Sequence, residues 1–261
     1  MIDIIKAKKE FKKLLDSYNN HEQIGLDLKV KHTYQVVENA KKLANKLNLN
    51  EEDKTLAELI ALLHDIGRFE ELKVTNRFDS SKFDHAKHGV KMLFEDGLIK
   101  KFVEDRKYDE IIKKAVENHS LKEIEKGLSE KELLHAKIIR DADKLDNYRV
   151  KIEEKVETIF PGKMKERSEL ENSTITDKVY ETVKNKNCVD IKDRKTILDF
   201  WVCVLAFAFD FNFNESYELV KKENYINRLI DRFDYKNKDS KEKMEDIRNI
   251  LNNFIEEKIN K

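Results

Sequence analysis

One proline and six glycines are spread over 261 residues. So few turn-forming residues cannot supply the many tight connections of a β-sandwich or barrel, and a mostly helical chain is predicted. Cysteine is scarce too. Cys188 and Cys203 are too few for a disulfide framework and lack the C-x-x-C spacing of a zinc or redox pair, which suits a reducing cytoplasm. Net charge is absent, with 52 basic residues against 52 acidic ones, so no overall field draws the chain to nucleic acid or an anionic bilayer. The opening MIDIIKAKKEFKK has no apolar core of a secretory signal. Long hydrophobic runs are missing as well. The most apolar stretch, residues 198–213 (LDFWVCVLAFAFDFNF), carries Asp199 and Asp210 and is shorter than the ~20 residues that span a bilayer. It reads as a buried core helix.

What remains is charge and apolar period. Hydrophobic residues make up 39% and charged ones 40%, enough for a core of one large or two small domains. Ile4, Ile5, Phe11, Leu14 and Leu15 recur at helical spacing. A second helix is predicted from about His32 to Leu47, and a third after Asn50 as cap, with Gly67 as its stop. Residues 68–81 have no clean period and read as a loop, a candidate lid bearing Lys73 and Arg77. Further helices are expected at 84–95, 109–119 and 133–156, the last after the capping-box pair Ser129 and Glu132. Pro161-Gly162, in a polar stretch, sets the expected boundary between a core, 1–160, and a C-terminal helical extension packed on it, 161–261. The final helix, from about Asp239, puts Met244, Ile247, Leu251, Phe254 and Ile255 on one face, to pack on the body or to make a homodimer contact.

The histidines carry the chemical signal. His64-Asp65 closes a strongly apolar helix, where the partial negative charge of a helix C-terminus disfavours an aspartate. One imidazole and one carboxylate make half of a transition-metal site; His64 alone can equally be a plain C-terminal cap. His32, His85, His119 and Asp143 lie on other predicted helices. Singly, each has a bland account as a helix-end polar residue or a solvated charge. His21 and His135 fall in no motif and read as surface or satisfied core residues.

The joint order His … His-Asp … His … His … Asp resembles the HD-domain superfamily of metal-dependent phosphohydrolases. The resemblance runs over about residues 28–149, in HTYQVV at His32, LLHDIGR at His64-Asp65, HAKHG at His85, ENHS at His119 and DADKLDN at Asp143. It implies an all-α bundle with additional C-terminal helices packed on it. It also implies two divalent ions: His32, His64, Asp65 and Asp143 around the first, and Asp65 bridging to a second held by His85 and His119. His85, four residues before Gly89, fits the H-x-x-x-G motif better than His88. Such a donor set suits Mn²⁺ or Fe²⁺ and accepts Co²⁺, Ni²⁺, Zn²⁺ or Mg²⁺. A third ion is not expected, because Leu28 and Asn118 stand where three-metal relatives carry further ligands.

The implied activity is hydrolysis of a phosphate ester or anhydride by metal-activated water. Asp65 would be central, with Arg68 as a fork for substrate phosphate and Lys144 as a second charge; for both cations a surface salt bridge is the competing account. The expected substrate is a small phosphorylated molecule, nucleotide-like. Cyclic-dinucleotide and guanosine-tetraphosphate branches are disfavoured, since no GYP segment follows ENHS and Arg68-Phe69 replaces their acidic pair. The alternatives are an HD nuclease on single-stranded nucleic acid and a catalytically weak HD domain that binds ligand or acts as a scaffold.

Overall fold

A computed structural model describes residues 2–18, 25–75, 83–160, 164 and 166–261. His21, Arg77 and the Pro161-Gly162 pair lie outside the described residues. Helices are the only regular elements among those described, and the chain divides into two compact units, Met1–Asp143 and Lys144–Lys261. That division falls inside one continuous helix, where neither composition nor period marks it.

In the first unit, α1 (Ile4–Asp16) starts where the Asp3 carboxylate accepts from Lys6 N–H at 2.9 Å, and it buries Ala7, Phe11 and Leu15. Helix α2 (Leu26–Lys46) begins after Gly25, whose φ of 98° is open to glycine without strain. His32 therefore sits in its second turn, not at its start. Helix α3 (Glu51–Leu63) is capped by Asn50, whose side chain accepts from Asp53 N–H at 2.9 Å, as the sequence predicts. It packs along α2. Leu56, Leu59, Ile60, Leu62 and Leu63 are all buried there.

The segment after α3 differs from the sequence-based expectation in two ways. Gly67 does not stop α3; residues 64–65 make a single turn, and α4 (Ile66–Thr75) starts at once. The first part of the expected 68–81 loop is therefore helical, with Phe69 and Leu72 buried on a core-facing side. Ile66, Phe69 and Leu72 are buried three residues apart, but the exposed Val74 falls off that stripe and blurs the period. Gly67 is needed for space. A Cβ there would overlap the carbonyl oxygen of His85 and lie 2.7 Å from the Gly89 nitrogen, so α4 and α5 (His85–Val90) cross at backbone contact.

Helix α5 is capped by the Asp84 carboxylate, accepting from Lys87 N–H at 3.1 Å, and passes into a wider π turn at Lys91–Glu95. Helix α6 (Asp109–Asn118) buries Ile112, Ala115 and Val116. Helix α7 (Glu130–Glu153) opens with the expected capping box: Ser129 N–H donates to Glu132 Oε2 at 2.7 Å and Glu132 N–H to Ser129 Oγ at 3.4 Å. Asn39 on α2 donates to the carbonyl of Ala142 at 3.2 Å, and His135 on α7 meets Asp53 on α3 at 3.1 Å. His135 is thus a buried core residue.

The second unit holds the rest of α7, then α8 (Val156–Ile159), α9 (Arg167–Glu171), α10 (Asp177–Lys184), α11 (Ile197–Leu205), α12 (Asn214–Lys222), α13 (Tyr225–Ile230) and α14 (Lys238–Ile259). The 198–213 run is not one helix: α11 ends at Leu205 and a 3-10 segment follows to Asp210. Asp199 is buried because it caps α11, accepting from the N–H groups of Thr196 at 3.1 Å and Thr176 at 2.9 Å. The apolar stripe of α14 is used within the unit, with Met244, Ile247, Leu251 and Ile255 buried and α10, α12 and α13 as its neighbours. No helix among the described residues is long and apolar enough to cross a membrane.

The α4–α5 crossing makes a direct prediction. Gly67→Ala must push the two backbones apart, which overpacking data place at about 1–3 kcal/mol. A thermal melt of the purified variant should fall by several degrees; an unchanged midpoint would mean that the crossing has slack.

Candidate metal centre

The turn between α3 and α4 places His64 and Asp65 side by side at the bottom of the first unit's core. His64 is 0% exposed and Asp65 4%. Around them stand His32 from α2, His85 from the start of α5, His119 just past α6, and Asp143 from α7. The side chains form two groups: His32, His64 and Asp143, and Asp65, His85 and His119, with the candidate ligand atoms in each group within 4.8 Å of one another.

The Asp65 carboxylate lies between the groups and divides its oxygens. Oδ2 faces His64 Nε2 at 3.6 Å and His32 Nε2 at 3.8 Å. Oδ1 faces His119 Nε2 at 3.4 Å and His85 Nε2 at 3.5 Å. Asp143 Oδ1 lies 3.1 Å from His32 Nε2.

The donor chemistry fits a cation. His64 Nδ1–H donates to the carbonyl of Ala61 at 2.7 Å, which leaves Nε2 as a lone pair; that atom is buried and has no hydrogen-bond partner. His119 repeats the arrangement, with Nδ1 2.7 Å from the carbonyl of Val116. Its Nε2 is 3.2 Å from His85 Nε2. Backbone-fixed rings with inward lone pairs are what metal-binding imidazoles require. The absence of any thiol from either group argues against a structural zinc site.

Electrostatics favours the same protonation states. Burial drives the His64 ring down to about 4, against the pull of Asp65. Burial likewise takes His85 down to about 3. Burial opposes the charge on Asp65, but Lys29, His64, the His119 hydrogen bond and Arg68 outweigh it and hold the carboxyl well below its usual range. Enclosure opposes the charge on Asp143 too, and the His32 hydrogen bond overcomes it. At neutral pH His64 and His85 are therefore neutral, and Asp65 and Asp143 are ionised.

The remaining sequence candidates are placed as follows. Arg68 lies one turn after Asp65, its Nε 3.6 Å from Asp65 Oδ1, and its Nη1 donates to the fully buried Glu71 at 2.7 Å. Lys144 is buried and paired with Asp210 at 2.8 Å in the second unit. His88 joins neither group; its ring lies against Phe83, centroids 4.9 Å apart. The Asn118 side-chain oxygen accepts from Glu125 N–H at 2.8 Å. Sequence reasoning missed Lys29, whose Nζ lies 2.9 Å from Asp65 Oδ2. The available signal was its spacing, three residues before His32 on one helix face.

A family model described as HD domain matches residues 30–148, a span that contains all six candidate ligands and ends inside α7. Comparison with curated proteins and with solved structures gives no match.

The buried rings make the metal-free protein acid-sensitive. Unfolded, both histidines titrate near 6.5; folded, His64 does so at about 4 and His85 at about 3. Below 6.5 the unfolded chain binds more protons, so stability is full above that pH and falls as pH drops toward 4, by about 1.4 kcal/mol per unit for each ring. Melting of chelated protein should decline from pH 7 to pH 5. A flat profile would show that the rings are not held neutral.

Proposed function

From the premise that the chain carries an HD domain over residues 30–148, we propose that it is a metal-dependent phosphohydrolase. Its substrate is a small phosphorylated molecule of nucleotide type. One observation carries the reading: a single buried carboxylate, Asp65, turns one oxygen to each of two groups of inward-facing imidazoles. His32, His64, Asp65 and Asp143 would hold one divalent ion, and Asp65, His85 and His119 a second. Mn²⁺ and Fe²⁺ suit this mixture best, with Co²⁺, Ni²⁺, Zn²⁺ and Mg²⁺ also compatible. Bound there, the ions supply Lewis acidity toward phosphate oxygens and lower the pKa of water.

The chain's own residues divide the remaining work. The carbonyls of Ala61 and Val116 fix two ring orientations, so the donor atoms need no rearrangement to receive a cation. Lys29 and Arg68 flank Asp65, one toward each oxygen, and neutralise it before cations arrive. The same two cations are placed to accept phosphate charge from a substrate. Glu71 braces the Arg68 guanidinium from the buried side, which sets its plane beside Asp65. The Asp210 partner of Lys144 makes that lysine a weaker candidate for phosphate contact.

Purified protein should contain or take up divalent transition metal, and exhaustive chelation should lower its melting temperature, because a ligand of the folded state stabilises it. Elemental analysis and metal titrations that both find nothing would sink the proposal. A screen of nucleoside monophosphates, dinucleoside polyphosphates and small cyclic nucleotides with Mn²⁺, Fe²⁺, Co²⁺ or Ni²⁺ should reveal turnover.

Substitutions separate the roles. His64→Ala should abolish turnover and reduce metal content, since it removes an orphaned donor. Arg68→Ala should leave metal content intact and lower kcat/KM. Equal kcat/KM in Arg68→Ala and wild type would return that arginine to a purely structural pair with Glu71. Salt-sensitive oligonucleotide binding with oligonucleotide cleavage would instead favour a nuclease.

A further inference from the structure

Arg140 is 3% exposed, an uncommon environment for a guanidinium. It lies on α7 three residues before Asp143, so the two side chains leave the same side of the helix on adjacent turns. Its Nη1 donates to the carbonyl of Asn118 at 2.9 Å and also to that of Leu121, and its Nη2 to Lys122 at 3.2 Å. Asn118 is the last residue of α6, and Leu121 and Lys122 lie in the bend just beyond it. A helix end leaves carbonyls without intrahelical donors and with partial negative charge, so a buried forked cation is a strong match for them.

His119 lies between those anchored carbonyls. With its backbone pinned on both sides and its Nδ1 bound to Val116, little freedom is left to the ring. Its Nε2 is thereby delivered to Asp65 Oδ1 at 3.4 Å and to His85 Nε2 at 3.2 Å. Asn118 tightens the same segment: it is fully buried, its Nδ2 donates to Lys114 at 2.9 Å, and its Oδ1 accepts from Glu125.

Resting on the metal-dependent reading above, we propose that Arg140 is the positioning residue for the second ion, the one held by Asp65, His85 and His119. It holds the backbone that carries His119, and through α7 it ties that backbone to Asp143 of the first group. The helix that supplies one group's carboxylate thus also sets the other group's imidazole. Lysine cannot replace it, because one ammonium lacks the planar fork that meets several carbonyls at once.

The test is a titration of metal-stripped, full-length protein with Mn²⁺, followed by elemental stoichiometry. Wild type should show two binding events. Arg140→Lys and Arg140→Gln should keep the first and weaken the second by about 10–100-fold, the usual range for loss of a residue that supports a metal ligand. His119→Ala serves as the one-ion reference. Two unchanged affinities in folded Arg140 variants would overturn the inference while leaving the functional reading intact, even if melting is lowered. Equal weakening of both events, or failure of both variants to fold, would also overturn it, because Arg140 would then act on the fold as a whole. A wild type that takes up no ion would overturn the functional reading, and the inference with it.

Discussion

A buried aspartate among four imidazoles is the constraint on which the first unit depends. Asp65 is taken from water and kept ionised, which is unfavourable unless opposite charge or hydrogen-bond donors surround it. Lys29 and Arg68 supply the charge and the histidine rings crowd both oxygens. Such an arrangement is poorly explained as a stabilising device, since buried ion pairs seldom exceed the benefit of apolar packing. It is well explained as a receptor for cations.

The helices are arranged to serve that carboxylate. The α3–α4 turn lets His64 and Asp65 converge, where a continuing helix would set them about 100° apart around its axis. The backbone crossing at Gly67 and Gly89 brings His85 within reach of the same oxygen that His119 approaches from α6. Helix α7 braces the assembly at three levels, through His135 to Asp53, through Arg140 to the end of α6, and through Ala142 to Asn39. Asp143 follows directly on the last of these. Three candidate donors, His32, His85 and Asp143, lie within helices, and His64, Asp65 and His119 in turns directly after helix ends, so each is held at or beside a rigid element, which suits a preorganised centre.

Much of this was legible in the sequence, for identifiable reasons. Scarcity of glycine and proline predicts an all-α chain, and helical period places α1, α3, α6 and α14 within a few residues. Asn50, Ser129 and Glu132 act through hydrogen bonds three residues away, so their caps could be read locally. The six candidate ligands were visible because their order and spacing resemble a known family, not because any one histidine stands out. Other features lay beyond local reading. Gly67 resembles a helix stop until a second backbone is placed against it, and in α4 the exposed Val74 falls off the stripe of Ile66, Phe69 and Leu72.

What the sequence by itself determined, then, is helicity and the caps, because these follow from composition or from contacts within one turn; the six candidate donors and their two groups were implied by a resemblance in order and spacing to a known family. Tertiary structure alone decided that Lys29 and Arg68 attend opposite oxygens of Asp65, and that Arg140 reaches the carbonyls around His119. Those pairings join residues from different helices. They depend on how close two helices approach and in what register, and that is set by volume at positions such as Gly67 and Gly89, which meet only when α4 and α5 cross.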